Sequence, residues 1–148
     1  MKRRILIADH ELTVLLTLKA LLENHGFEVE IAATSPQAIR RLQSAEFHMV
    51  ITEVNLEHEK AGYEVMKVAR EQAYEPAVAL LTAYPLLASD YSTHGAGSML
   101  VKPIHAEVLM RQIEAMLVTQ EDRKRQHAVP FTPKSGATSA KSATKRAV

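Results

Sequence analysis

The sequence predicts a doubly wound α/β sandwich, in which helices cover both faces of a five-stranded parallel sheet. Short aliphatic runs alternate strictly with helical segments along the first 122 residues. This alternation is typical of parallel sheets, because a crossover helix joins each strand to the next. Right-handed crossovers give an open sheet, and ligands of such sheets bind outside the carboxyl ends of the strands. At 148 residues, the chain is long enough for one domain with a real core.

Each element has its own local signal. The predicted strands lie in "RRILIAD", "FEVEIAA", "FHMVIT", "PAVALLT" and "SMLV". The first predicted helix has leucines at helical spacing, at positions 12, 15, 18 and 22, and Gly26 is its stop signal. The second helix is predicted to open with Ser35 as the cap and Pro36 at its first position. We therefore expect two regular strand–helix units in the first 45 residues.

The later helices are predicted with less uniform signals. "GYEVMKVAREQA" reads as a third helix, and a weak helix is predicted somewhere within residues 85–94. A last helix is predicted from about residue 105 to 122. Its apolar face is formed by Leu109, Ile113, Met116 and Leu117. Five strands and five helices are thus expected.

Charge divides the chain into two parts. Seven of the 18 basic residues lie from Arg123 onward, whereas all 17 acidic residues lie before it. The segment after about residue 127 is rich in Ser, Thr, Ala, Lys and Pro, and it has too few large apolar groups to offset its ordering entropy. We predict a folded, acidic domain over residues 1–122 and a basic, disordered tail over residues 123–148.

Composition excludes several classes of protein. The chain has no cysteine, which rules out a disulfide framework, a thiolate nucleophile and a Cys-based metal site. No apolar run approaches the roughly 20 residues of a membrane-spanning helix. The apolar stretch of "MKRRILIADH" is too short for a signal peptide. A cytoplasmic protein without a membrane partner is expected.

Polar side chains stand at four of the five predicted strand ends. Asp9 follows the first strand, with His10 and Glu11 beyond it, and Glu53 follows the third, with Asn55 two positions later. The fourth strand ends in Thr82-Ala83 and the fifth in Lys102-Pro103. One such residue is usually only a loop residue. Acids, a hydroxyl and an ammonium that meet at one edge of a sheet suit a phosphoryl group or a metal ion.

The segments around these residues resemble a known family. "ILIADHE", "MVITEVNL", "VALLTAY" and "GAGSMLVKP" are similar, in order and spacing, to the signature segments of response-regulator receiver domains (CheY-like). The resemblance covers about residues 3–120. It implies the flavodoxin-like receiver fold and a role in two-component phosphorelay signalling. It also implies a protein partner, either a histidine kinase or a downstream signalling protein, and no enzymatic activity of the chain's own.

The resemblance also implies roles for individual residues. In the family, an acidic pair and an aspartate hold Mg²⁺, and that aspartate accepts the phosphoryl group. A Thr or Ser and a Lys bind the phosphoryl oxygens. By position, the acidic pocket would comprise Asp9, His10 and Asn55, the phospho-acceptor position would be Glu53, the phosphoryl-binding positions would be Thr82, Ala83 and Lys102, and the switch position would be Met99.

Three of these positions depart from the family pattern. His10 replaces an oxygen ligand with an imidazole, which Mg²⁺ does not favour. Glu53 is one methylene longer than the usual acceptor, and phosphoryl transfer depends on positioning. Met99 stands where the family usually has Tyr or Phe, which puts the usual rotameric switch in doubt. We expect at most weak Mg²⁺ binding, through Asp9 and Glu53.

The leading hypothesis is a single-domain, atypical receiver that acts as a protein-interaction module, with phosphorylation lost or strongly reduced. Glu53 would partly mimic the phosphorylated state, with about −1 charge against −1.5 to −2 for a phosphate. A simpler interpretation is that Glu53 only pairs with Lys102 and holds loops together. Likewise, His10 is more readily a solvent-facing loop histidine than a transition-metal ligand, because no second His lies nearby in sequence.

Two other functions compete with this hypothesis. One is a working receiver that still binds a divalent metal and is phosphorylated slowly by a histidine kinase. The other is a flavodoxin-like binder of a nucleotide or flavin phosphate, which would need a Gly- or Ser/Thr-rich turn after the first strand. "ADHELT" offers one Thr and no Gly, which argues against it. The basic tail lacks a DNA-binding motif, so nucleic-acid binding is expected, if anywhere, only there.

Overall fold

The computed structural model describes residues 2–84 and 96–128. Its five strands are β1 (Arg4–Ala8), β2 (Glu28–Ala32), β3 (Met49–Thr52), β4 (Ala77–Thr82) and β5 (Ser98–Val101). Its helices are α1 (Leu12–Asn24), α2 (Ser35–Ser44), α3 (Ala61–Arg70) and α4 (Ala106–Ala128). Neighbouring strands pair in parallel, in the order β2-β1-β3-β4-β5. The predicted fold class, a doubly wound parallel sheet, is confirmed.

The sheet separates two apolar clusters, one on each face. Alternation along β1 sends Ile5 and Ile7 to the face covered by α1 and α4, and Leu6 and Ala8 to the face covered by α2 and α3. The central strands β3 and β4 are buried along their whole length. This double covering explains why their sequences are aliphatic runs without polar alternation.

The helices mostly follow the predicted periodicity. Leu15, Leu18 and Leu22 of α1 are buried, whereas Leu12 is 63% exposed because it is the first helical residue. On α4, three of the four predicted apolar residues are buried and Met116 is partly buried.

The predicted cap of α2 is wrong by one residue. Thr34 is the N-cap, and its hydroxyl oxygen accepts a hydrogen bond from the Gln37 N–H at 3.3 Å. Ser35 is therefore the first helical residue, and Pro36 follows it. The side chain of Ser35 is free for a different contact.

The last helix runs beyond the expected residue 122, to Ala128. By its internal contacts, the chain divides after Val118 into a first unit that holds the sheet and a second unit that begins at Thr119. In the second unit, Arg125 pairs with Asp122 one helical turn away. The predicted weak helix in 85–94 and the disordered stretch of the tail after residue 128 lie outside the described residues, and the domain boundary near residue 122 stays a prediction. No described helix is both long and apolar enough to cross a membrane.

Candidate functional site

The carboxyl edge of the sheet brings together four of the predicted site residues. Asp9 follows β1 and is fully buried, Glu53 follows β3 and is nearly so, and Lys102 follows β5. His10, beside Asp9, is half exposed. Asp9 and Glu53 lie side by side because β1 and β3 are parallel and Ala8 pairs with Thr52. The residue that follows each of these two leaves the sheet at the same level.

The ammonium group of Lys102 lies among three carboxylates. Its Nζ is 2.9 Å from Asp9 Oδ2, 3.0 Å from Glu53 Oε1 and 3.5 Å from Glu11 Oε1. The contact with Glu53 is a hydrogen-bonded ion pair, as predicted. Asp9 Oδ2 has no partner with full hydrogen-bond geometry within the described residues, and it forms an ion pair with the lysine. The contact between Glu11 and the lysine was not predicted.

The other oxygen of each buried carboxylate faces His10. His10 Nδ1 is in hydrogen-bond contact with Glu53 Oε2 and lies 3.8 Å from Asp9 Oδ1. The backbone N–H of His10 also points to Glu53 Oε2, at 3.5 Å. The imidazole is thus half exposed, as a loop histidine would be, but it is hydrogen-bonded to Glu53. Glu53 has a cation or donor on each of its two oxygens.

The charges of this edge set the protonation of its two basic groups. The hydrogen bond that His10 donates to Glu53 raises the pKa of His10 above its usual value, against a smaller opposing effect of burial, and the charges of Glu53, Asp9 and Glu11 add to the rise. Burial alone would lower the pKa of Lys102, but its contacts with Asp9 and Glu53 outweigh burial and raise that pKa. The carboxylates therefore favour the charged form of both groups.

A glycine and a side-chain amide shape the loop that carries Glu53. The N–H of Gly62 donates to the carbonyl of Val54 at 2.7 Å, and a Cβ at Gly62 would lie 1.8 Å from the carbonyl oxygen of Glu53. The Asn55 side chain accepts a hydrogen bond from the N–H of Lys60 at 2.8 Å. Asn55 therefore ties the loop to the start of α3, and the predicted role of its backbone carbonyl at a metal stays a prediction.

The remaining predicted residues lie at the same edge with different partners. The buried Thr82 hydroxyl donates to the Tyr84 carbonyl at 3.1 Å and accepts from the Tyr84 N–H at 3.0 Å. Ala83 beside it is exposed. Met99 is partly buried and packs on the cluster between the sheet and α2–α3. The phosphoryl-binding and switch roles of these positions stay predictions.

One contact near the site was not anticipated. The Glu57 carboxylate accepts hydrogen bonds from the Ser35 N–H, at 2.7 Å, and from the Ser35 hydroxyl. Burial would raise the pKa of Glu57, but the two bonds from Ser35 lower it overall. A carboxylate at a helix N-terminus is stabilised by the unsatisfied N–H groups there. This pair fastens the loop after β3 to α2.

Asp9, His10 and Glu53 are a possible metal-binding group, because one donor atom of each lies within 4.8 Å of the others. The set contains two carboxylates and one imidazole. Mg²⁺ requires near-octahedral oxygen ligation and is reluctant to take imidazole. In addition, the Lys102 ammonium takes one oxygen of each carboxylate. These residues therefore fit Mg²⁺ poorly.

Comparison with known proteins places the chain in a family. Residues 5–114 match the family model of the response regulator receiver domain, so the chain belongs to that family. It is 33% identical over 133 residues to the alginate biosynthesis transcriptional regulatory protein AlgB of Pseudomonas aeruginosa, an alignment that covers 82% of this chain and 29% of AlgB. The chain thus spans less than a third of that relative's length.

Solved structures agree with this assignment. The fold is similar to that of the chemotaxis response regulator CheY4 of Vibrio cholerae, with a TM-score of 0.72 and 26% identity over 78% of this chain and 99% of that one. A CheY-like receiver domain protein of Methanospirillum hungatei has a TM-score of 0.76 and 27% identity over 83% of this chain and 99% of that one. The chain is therefore a receiver domain of two-component signalling.

Proposed function

We propose that this receiver is atypical: it acts as a protein-interaction module in which phosphorylation is lost or strongly reduced. Glu53 stands at the phospho-acceptor position and partly mimics the phosphorylated state. The observation that carries this proposal is the engagement of both Glu53 oxygens, Oε1 by Lys102 at 3.0 Å and Oε2 by His10.

An acceptor carboxylate must present an oxygen lone pair in line with the phosphoryl donor, because this reaction depends on positioning and charge neutralisation. In this chain, the Glu53 oxygens are directed at a lysine and a histidine. The same lysine would be needed to bind the oxygens of the incoming phosphoryl group, yet it is already neutralised by Asp9 and Glu53. Glu53 and Lys102, the two groups that the reaction would need, are therefore already paired with each other.

The same contacts support mimicry. Glu53 extends one methylene farther than an aspartate, and it bonds the Lys102 ammonium without any phosphate. A carboxylate carries about −1 charge, against −1.5 to −2 for a phosphoryl group. We infer that Glu53 binds the Lys102 ammonium permanently, and that it does so with part of the negative charge that a phosphoryl group would carry. The downstream contact of this receiver would then be independent of a kinase.

The poor fit to Mg²⁺ supports the loss of phosphorylation, since the family reaction uses that ion. His10 supplies a nitrogen where the family supplies an oxygen, and it is bonded to Glu53. The acceptor and the metal position are thus altered together.

Labelling with acetyl phosphate and Mg²⁺ tests the proposal. Wild type should stay unlabelled, and Glu53→Asp alone should recover little, because the oxygen replaced by His10 is still missing. The double variant His10→Asp with Glu53→Asp should be labelled well beyond the sum of the two single variants, since residues that act as a unit are non-additive. Circular dichroism would establish that each variant is folded.

Two results would change the conclusion. Robust labelling of wild-type Glu53 would favour the competing function, a receiver that binds a divalent metal and is phosphorylated slowly. The observation that keeps this function in view is the fully buried Asp9 beside Glu53. An unlabelled double variant would mean that the loss extends beyond these two positions.

A further inference from the structure

We propose that Glu57 is a positioning residue for Glu53: its contact with Ser35 keeps the loop after β3 in the place from which Glu53 reaches Lys102. Each oxygen of the Glu57 carboxylate accepts one hydrogen bond from Ser35, Oε1 from the N–H at 2.7 Å and Oε2 from the hydroxyl. Ser35 is buried, and the Glu57 side chain is 29% exposed. The inference rests on the proposed function, which makes Glu53 the residue whose position counts.

The contact between Glu57 and Ser35 joins the loops of two strands that are not neighbours. Glu57 follows β3, and Ser35 begins α2, which follows β2. In the sheet, β1 lies between these two strands. Asp9, which pairs with Lys102, stands directly after β1. The contact therefore spans the end of the middle strand, at the same edge of the sheet as the site.

The loop that carries Glu57 is bonded to itself. The carbonyl of His58 accepts a hydrogen bond from the N–H of Leu56 and another from the N–H of Ala61, both at 3.2 Å. A short segment with such internal bonds shifts as a unit rather than residue by residue. Glu57 is four positions after Glu53. Release of its carboxylate would therefore let the segment swing about its start, which is Glu53.

The start of α2 leaves Ser35 available to the loop. Thr34 caps the helix, because its hydroxyl oxygen accepts the hydrogen bond from the Gln37 N–H. Both donors of Ser35 can then serve Glu57. A carboxylate is also favoured at this point by the partial positive charge of the helix N-terminus. Capping of the helix and anchoring of the loop are thus carried by two adjacent residues, and each can be removed without the other.

NMR of the Lys102 ammonium group, on the full chain with isotope-labelled lysine, tests the positioning. This group is observable because it is mostly buried and hydrogen-bonded to Glu53, which slows the exchange of its protons. Glu53→Gln gives the reference spectrum for a lost carboxylate. Glu57→Gln turns one acceptor oxygen into a donor, and Ser35→Ala removes the hydroxyl, so each breaks one of the two bonds. Both should shift the Lys102 resonance toward the reference.

Two matched controls separate positioning from other effects. Thr34→Ala weakens the cap of the same helix but leaves both donors of Ser35 in place. Glu59→Gln removes a charge from an exposed residue of the same loop. Both should leave the resonance unchanged, and circular dichroism would establish that every variant is folded. An unshifted resonance in Glu57→Gln and Ser35→Ala would overturn the positioning, and so would an equal shift in Thr34→Ala.

Partner binding distinguishes this inference from the proposed function. The NMR measurement contains no partner, so an unshifted resonance would leave the charge mimicry of Glu53 untouched. If the resonance shifts, Glu57→Gln should also retain less partner from host extract than Glu59→Gln does. A shifted resonance with undiminished retention would keep Glu57 as a positioning residue and count against mimicry instead.

Discussion

Gly62 lies directly against the backbone of Glu53: a methyl group at its α-carbon would be 1.8 Å from the Glu53 carbonyl oxygen. The start of α3 is thus pressed onto the residue that ends β3, and only a residue without a side chain permits the approach. Gly62 needs no unusual backbone conformation, so space alone explains it.

Gly62→Ala should destabilise the fold, because either the backbone at Glu53 or the start of α3 must move. Overpacking of this kind costs about 1–3 kcal/mol in the free energy of unfolding. Gly97→Ala is the matched control, since a Cβ there meets only the Val78 carbonyl, at an ordinary 3.6 Å. Urea denaturation of both variants measures the difference. Equal midpoints would contradict the close approach.

Lys102→Met should destabilise the protein at neutral pH, because it leaves Asp9 and Glu53 buried without their cation. Removing one partner of a buried pair costs about 3–5 kcal/mol. Lys19→Met breaks a more exposed pair with Glu23 and a hydrogen bond to the Val29 carbonyl, and it should cost only about 1 kcal/mol. The folded pKa of Lys102 is raised above the ordinary 10.5. The charge of Lys102 therefore contributes fully to the free energy of unfolding below pH 10.5, and this contribution is lost as the pH rises through the pKa of the folded state. Denaturation at alkaline pH would show the loss.

The imidazole of His10 should titrate above the ordinary pKa of 6.5, because Glu53 accepts a hydrogen bond from it and stabilises the charged form. Since the folded pKa is the higher one, this contact stabilises the fold fully below pH 6.5 and no longer does so once the pH has risen through the folded value. NMR titration of the ring protons measures it. Glu53→Gln removes the charge but keeps the length, so it should reduce the shift; an unchanged titration would rule out Glu53 as its source.

His10→Asp should raise the affinity for Mg²⁺, because it restores a third oxygen beside Asp9 and Glu53 and removes the bonded imidazole. Isothermal titration of Mg²⁺ into wild type and variant compares them directly. If wild type binds Mg²⁺ as tightly as the variant, the assignment of His10 to the family's acidic pair is wrong.

Glu53→Gln should weaken the binding of a partner protein, if the negative charge of Glu53 stands in for a phosphate. The comparison uses immobilised chain and extract of the host, without phosphoryl donor. Glu59→Gln is the control, since Glu59 is an exposed carboxylate of the same loop. A partner retained equally by wild type and both variants would contradict mimicry, and it would leave Glu53 with only the role of pairing Lys102.

The sheet and the meeting of Asp9, Glu53 and Lys102 were predictable from sequence, because strand runs are aliphatic and parallel strands end at one edge. The bond from His10 to Glu53 was not, since it depends on how two loops turn after they leave the sheet. The cap of α2 was misassigned because Thr34 and Ser35 are both good capping residues and their order is decided by the entering backbone. The Ser35 contact with Glu57 joins residues 22 apart, a pairing that no local pattern encodes.

Among the backbone N–H groups bonded to the loop after Glu53, three can serve as natural reporters of that loop. They belong to Ser35, Lys60 and Gly62, and their acceptors lie on the loop itself. Exchange of the Ser35 and Gly62 protons with deuterium requires the loop to detach from α2 and α3, and exchange of the Lys60 proton requires the loop itself to open, because each bond must break before its proton can leave. Their exchange rates would therefore time the opening of residues 53–61 in the native chain, with no chemical label near the carboxylates.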